Sequence, residues 1–276
     1  HRGLRQLALA PEQVRSRELT SQVPAATPTP EGAKPRVAFL TPRDWAVHVQ
    51  WEGMMAQALR LRGAKVDFVT CGGGLEICDR VNTYEGPPVP CTTCTRYVHG
   101  SIDAHGFPRT ALRDGWELDD PGDWPELDEL SLAELADVTF EGVPLGRLME
   151  IPLRWFLVRS QIEDDPLAPI TMRRFLRSGR RVVRGLVAAL DRTNPDIVVV
   201  LNGLFFFESI ALELCRQRGI AAIVYERGFI AGTIIVHQGM PDTLLDMPDE
   251  VWHHGAQPLQ RGRVGELLRR EQEKLD

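Results

Sequence analysis

Lysine is nearly missing from this chain. Only Lys34, Lys65 and Lys274 occur among 32 basic residues. The rest are arginine, a bias of the whole composition that carries no local signal. Net positive charge is missing too: the balance is -6 and the isoelectric point about 5.7. That removes the general electrostatic case for nucleic acid or an anionic surface as partner. No apolar run has the length of a membrane span. The strongest, Ile197–Phe207, is broken at Asn202-Gly203. There is no signal-peptide pattern, no P-loop, no HExxH and no Ser/His/Asp nucleophile motif. The three glycines Gly72-Gly73-Gly74 do not form a G-x-G-x-x-G turn.

What remains is an ordinary globular composition, 43% hydrophobic and 25% charged over 276 residues. That suits one large domain or two small ones. The chain opens on His1 and closes on ELLRREQEKLD, a charged helical stretch without a stop signal. These ends suggest a segment of something longer.

Strand and helix patterns alternate. Arg36–Thr41 is apolar and β-like, and a helix follows from about Val47 to Arg62, ended by Gly63. Lys65–Cys71 is a second strand. Thr171–Thr193 reads as a long amphipathic helix with an apolar face and an arginine-rich remainder. Asp196–Leu201, a helix to about Arg218 and Ala221–Tyr225 make a βαβ unit, which requires parallel strands. Thr233–Val236 is a further candidate strand, with His237 in the turn beyond it. Ser131 and Glu134 form a capping-box pattern. The fold class is α/β, a Rossmann-like, doubly wound, mostly parallel sheet. Residues 1–35 read as an N-terminal helical arm and Pro-rich linker outside the core. Residues 36–255 form the Rossmann-like domain, with 71–107 as a Cys-rich insertion. Residues 256–276 are a C-terminal helix leading to a second domain.

In parallel sheets, ligands bind beyond the carboxyl ends of the strands. The candidates there are Asp44 and His48 in and after the first loop, Glu52 one helical turn on, Asn202-Gly203 and Glu208 after one strand, and Glu226-Arg227-Gly228 after the next. His237 joins them from the last turn. His48 and Glu52 are spaced i, i+4, so a carboxylate beside the imidazole would orient it and raise its basicity. Glu226 follows an apolar strand directly and is a second candidate base. His253-His254 reads as a surface pair or a metal or hinge site. The arginines of the long helix read as a solvated face or a positive field for an anionic ligand.

Cys71, Cys78, Cys91 and Cys94 lie within 24 residues as C-x6-C-x12-C-x2-C. Cys91-Thr-Thr-Cys94 is a good chelating turn, and zinc is expected ahead of an iron–sulfur cluster. Four thiolates leave no open coordination position, so such a site is structural. Packed thiols and disulfides are the other readings, with His99 and His105 close enough in sequence to replace a ligand.

Two blocks, RVAFLTPRDWAVHVQWEGMMAQALRLRGAKVDFVTC and NPDIVVVLNGLFFFESIALELCRQRGIAAIVYERG, resemble the N-terminal, acceptor-side half of GT-B glycosyltransferases of the bacterial surface or capsular polysaccharide kind. CGGGLEIC…CTTC resembles a cysteine-rich insert carried by some of them. The resemblance covers roughly residues 36–94 and 154–240. It implies a hexosyltransferase that moves sugar from a nucleotide-sugar to a polysaccharide or lipid-linked acceptor. It also implies a donor-binding domain supplied beyond this chain or by a partner subunit, and a cytoplasmic location, peripheral at the inner face of the membrane. A metal-stabilised non-catalytic module and half of a sugar-nucleotide epimerase-like enzyme are the alternatives.

Overall fold

The computed structural model describes residues 10–22, 34–84, 89–116, 124–228 and 233–239. All of them belong to one compact unit, His1–Pro241. His253-His254 and the expected helix at 256–276 lie outside the described residues.

The sheet has six strands: β1 (Arg36–Leu40), β2 (Lys65–Thr70), β3 (Arg109–Ala111), β4 (Ile197–Leu201), β5 (Ala221–Arg227) and β6 (Ile234–Gln238). Their order is β3-β2-β1-β4-β5-β6, parallel from β3 to β5, with β6 antiparallel at the edge. The chain runs outward from β1 to β3, then returns beside β1 with β4. That reversal leaves a crevice between the carboxyl ends of β1 and β4, where doubly wound sheets place ligands.

Burial follows the strand period of two on both faces. Val37, Phe39, Phe68, Val199 and Tyr225 pack on one side with α2 (Ala46–Leu61) and α3 (Cys91–His105). Ala38, Leu40, Val69, Val198, Val200 and Val224 pack on the other. There they meet α7 (Leu167–Thr193), α8 (Phe206–Arg218) and the short helices α4 (Leu132–Ala136), α5 (Leu145–Leu148) and α6 (Glu150–Leu157). A strand buried on both faces reads as a near-continuous apolar run, as IVVVL does.

Four expectations change here. Residues 71–107 are not an insertion: α3 is the crossover that carries β2 to β3, which is parallel to it. The described part of the N-terminal arm, residues 10–22, is not detached from the domain. Its helix α1 (Pro11–Gln22) docks on α2 and α3 through polar contacts: Gln13 Nε2 donates to the Tyr97 carbonyl at 2.9 Å, and Ser16 Oγ to Gln50 at 2.7 Å. His237 is inside β6, paired with Val224, not in a turn. The arginines of α7 are largely committed to the polypeptide. Arg173 donates to the carbonyls of Leu127, Asp128 and Leu130, and Arg177 pairs with Asp128 at 2.8 Å. Arg180, Arg181 and Arg184 lie over Trp124, Trp116 and Phe140. They fasten irregular segments that lack an apolar period of their own. Gly185 of α7 lets the Leu112 turn touch the helix, since a Cβ there would stand 2.6 Å from the Leu112 carbonyl oxygen.

Candidate functional site

The loop after β1, Thr41-Pro42-Arg43-Asp44-Trp45, enters the crevice with a charge. Arg43 is 3% exposed and pairs with Asp79 at 2.8 Å and with Glu208. Both carboxylates are fully buried. Its guanidinium lies 4.3 Å from the Trp45 ring centroid and 5.0 Å from that of Phe205. A lone buried charge of this kind would be untenable without partners. Two carboxylates against one guanidinium leave an excess of negative charge. Desolvation pushes both carboxyls up while Arg43 pulls them down, and the direction for both is upward. Asp79 also accepts the Phe206 backbone N–H at 3.0 Å. It thus caps α8 from a distant loop, with its charge at the positive end of the helix dipole.

Glu52 does not meet His48. Its carboxyl accepts from Tyr225 Oη at 2.6 Å and from the Thr41 hydroxyl, and it is 2% exposed. The i, i+4 spacing holds, but the burial of α2 against the sheet turns Glu52 towards β5. Burial pushes this carboxyl up to about 8 against the pull of those two hydrogen bonds, so it keeps its proton at neutral pH. A folded-state pKa above the ordinary 4.5 stabilises the fold fully below about pH 4.5, and that stability is lost as pH rises towards 8. The steepest slope is about 1.4 kcal/mol per pH unit. Glu52→Gln keeps an acceptor for Tyr225, and its amide N–H donates to the Thr41 hydroxyl once that hydroxyl turns to accept. Urea unfolding should find it within about 1 kcal/mol of the parent at pH 5 and a few kcal/mol more stable above pH 8. Parallel stability curves for the two proteins would exclude a buried neutral acid.

His48 lies among rings instead, with centroids 5.5 Å from Trp51 and 6.1 Å from Tyr225. Its Nδ1 is buried without a partner. Burial lowers its pKa, the nearby Glu226 charge raises it, and Arg43 and Arg227 lower it again; the balance is downward. The imidazole is therefore neutral at pH 7 and able to accept a proton. Glu226 is held by the Asn202 side-chain amide at 2.9 Å and by its neighbour's backbone N–H. Asn202 and Gly203 have φ of 27° and 76°, so the turn after β4 is left-handed at both. For Asn202 that is strain of order 1 kcal/mol, a cost concentrated at functional positions. Leu40, Thr41, Arg43, Trp45, His48, Glu52, Leu201 and Glu208 enclose a cavity of about 10 Å³, room for about one water. A ligand larger than that would have to lie above it, against the open rim.

That rim is aromatic. Trp45 meets Phe205 edge-on at 5.0 Å, and Phe205 meets Trp155 edge-on at 5.4 Å. Trp155 is 47% exposed while its Nε1 donates to the Asp79 carbonyl at 3.1 Å. The structure thus gathers His48, Asn202, Gly203, Glu208 and Glu226 at one crevice. Arg227 is exposed at the end of β5, and Gly228 closes on Thr233 through its N–H. Asp44 is tied to Arg80 and is not an open ligand. His237 pairs with Val224 in the middle of β5, away from the carboxyl end of that strand. Arg43, Asp79, Tyr225 and Trp155 escaped the sequence reading. Arg43 had a signal, a charge three residues after the end of a buried strand. Asp79 had none, because its loop has no period.

The four clustered cysteines are free: Cys71 and Cys91 half-buried, Cys78 and Cys94 buried. Among the described residues no three His, Cys, Asp or Glu side chains meet at ligand distance. No described helix is long and apolar enough to cross a membrane. Comparison with protein-family models and with curated proteins finds no match for this chain.

Proposed function

We propose that this chain is the acceptor-binding half of a GT-B-type glycosyltransferase, moving sugar from a nucleotide-sugar to a polysaccharide or glycolipid acceptor. The observation that carries the reading is the crevice between β1 and β4. A neutral His48 beside Glu226 forms one wall, and the rings of Trp45, Phe205 and Trp155 form the other. The apolar face of a sugar ring stacks on such rings while its hydroxyls reach polar groups. His48 would take the acceptor hydroxyl proton as that oxygen attacks the anomeric carbon. The leaving diphosphate would be met by a second, donor-binding domain, and the work would be done at the cytoplasmic side of a membrane. A dinucleotide enzyme of the epimerase kind fits less well. The loop after β1 lacks glycine, and Arg43 with its carboxylates fills the space a pyrophosphate would need.

The test is ligand-observed NMR on the full chain with a panel of oligosaccharides, UDP-glucose and NAD. Oligosaccharide binding that weakens about tenfold in Trp155→Ala supports the reading, an anchor-sized effect. Binding of NAD alone, or of no saccharide at millimolar concentration, would remove it.

A further inference from the structure

Three buried polar atoms that no protein group meets belong to residues lining one cavity. They are Arg43 Nε, His48 Nδ1 and Glu208 Oε2. The cavity is the one of about 10 Å³ on the crevice floor. A buried polar atom left unmet costs folding stability, and native proteins leave few. The rest of the network is complete. Arg43 gives Nη1 to Asp79 and Nη2 to Glu208 Oε1. Asp79 uses both oxygens, one on Arg43 and one on the Phe206 N–H. Arg43 Nε and Glu208 Oε2 are the open ends, and His48 Nδ1 shares their cavity.

The three atoms need different things. A guanidinium Nε can only donate, and a carboxylate oxygen can only accept. A neutral imidazole nitrogen does either, according to its tautomer. A cation is unsuited to a place beside Arg43, and an anion to one beside Glu208. One small neutral molecule that both accepts and donates satisfies all three. Water does so, and a space of this volume takes about one. Thr41 and Glu52 also line the cavity, but Glu52 is already held by the Thr41 and Tyr225 hydroxyls. The other walls include Leu40, Val49 and Leu201, which offer nothing to bond.

We propose that this cavity is a site for one enclosed water, which accepts from Arg43 Nε and His48 Nδ1 and donates to Glu208 Oε2. Three bonds are usual for a buried water. The consequence falls on His48, because the partner of one ring nitrogen sets the state of the other. With the proton held on Nδ1, the lone pair is on Nε2. Nδ1 is the buried atom of a half-buried ring, which leaves Nε2 towards the rim. Glu208 is then a positioning residue: through the water it keeps the outer nitrogen ready to take a proton. Its use in catalysis rests on the transferase reading; the water site and the tautomer do not.

The experiment is nitrogen NMR of the full chain with isotope-labelled histidine, at a pH well above the ordinary imidazole value of 6.5. The His48 signals are assigned by their loss in His48→Ala. Nδ1 should carry the hydrogen, with a cross-peak to water, and Nε2 should show the shift of an unprotonated nitrogen. In Glu208→Gln the side-chain oxygen stays on Arg43 and the amide N–H turns to the water. The water then accepts from that amide and from Arg43, so it can only donate to His48, and the two nitrogen signals should exchange character. Asp79→Asn takes the same charge from Arg43, but Asp79 does not line the cavity, so the tautomer should stay as it is. A merely structural role for Glu208 would not separate these two variants. Should either fail to fold, a high-resolution crystal structure of the parent decides, with density expected within hydrogen-bond distance of all three atoms. An empty cavity, a hydrogen on Nε2 in the parent, or an unchanged tautomer in folded Glu208→Gln would overturn the proposal. Failure of saccharide binding with the tautomer intact would remove the transferase reading alone.

Discussion

Arg43→Met should cost about 3–5 kcal/mol in urea unfolding at pH 7, the range for breaking one partner out of a buried ion pair. An exposed pair would cost about 0–1 kcal/mol, and the difference lies in solvent. Arg43, Asp79 and Glu208 are all within 3% of full burial. Methionine fills much of the arginine volume, so packing loss is a minor part of the effect. What remains is two carboxyl groups facing each other without a cation, and an α8 terminus whose cap has lost its anchor. Arg43 Nε and Glu208 Oε2 already lack hydrogen-bond partners, so the network has no spare contacts to absorb the change. Arg43→Met/Glu208→Met should recover part of the loss, because it removes an unpaired buried charge together with its former partner. A single-variant loss below about 1 kcal/mol would mean that water reaches the pair, and the closed floor of the crevice would have to be abandoned.

On the proposed glycosyltransferase reading, His48→Ala, assayed with the donor-binding domain present, should lower sugar transfer by about 10²–10⁴-fold, the usual contribution of a positioned base. Saccharide binding should change little, since the stacking rings remain. This separates a base from a residue that merely shapes the rim, which would change binding and rate together. The pH profile gives the sharper reading. A base must be unprotonated, so the rate should fall only as pH drops below the ordinary imidazole value of 6.5. Glu226 raises the His48 pKa, so Glu226→Gln should move that acid limb to lower pH still. An NMR titration of the His48 ring reports the same shift without any turnover. A limb near 6.5 in both proteins would show an imidazole in open water. An unchanged rate in His48→Ala would move the base elsewhere, with Glu226 next in line.

The alternation of strand and helix was legible because hydrophobic periodicity is local. RVAFL, KVDFVT, IVVVL and AAIVYER each announce themselves within a few residues, and the structure has all four as parallel strands. The capping box at Ser131 and Glu134 is likewise a four-residue signal, and both of its bonds form. The polar strand ends were also legible, because a strand buried on both faces can turn polar only where it leaves the sheet. Less was legible where a segment's role depends on what lies opposite. The CTTC stretch looked like part of an insertion, yet α3 crosses from β2 to β3. The α1 helix has no apolar stripe to mark it as docked, and side-chain amides and hydroxyls hold it instead. The i, i+4 rule put His48 and Glu52 on one face correctly. It could not say that Tyr225 of β5 and Thr41 of the loop after β1 would claim the carboxyl first.

The sequence by itself determined the doubly wound α/β scaffold and the edge of the sheet where chemistry should be sought. The rule there is additive: each apolar residue contributes its burial wherever its neighbours in the chain put it. Only the tertiary structure decided which charges share the crevice. Asp79 is 36 residues from Arg43, and Glu208 is 165 away. Their pairing depends on desolvation and on distances of a few ångströms, and neither leaves a period in the chain. Whether a glutamate is a base or a buried neutral acid is the same kind of fact, set by what surrounds Glu52 and Glu226 rather than by their place in the sequence.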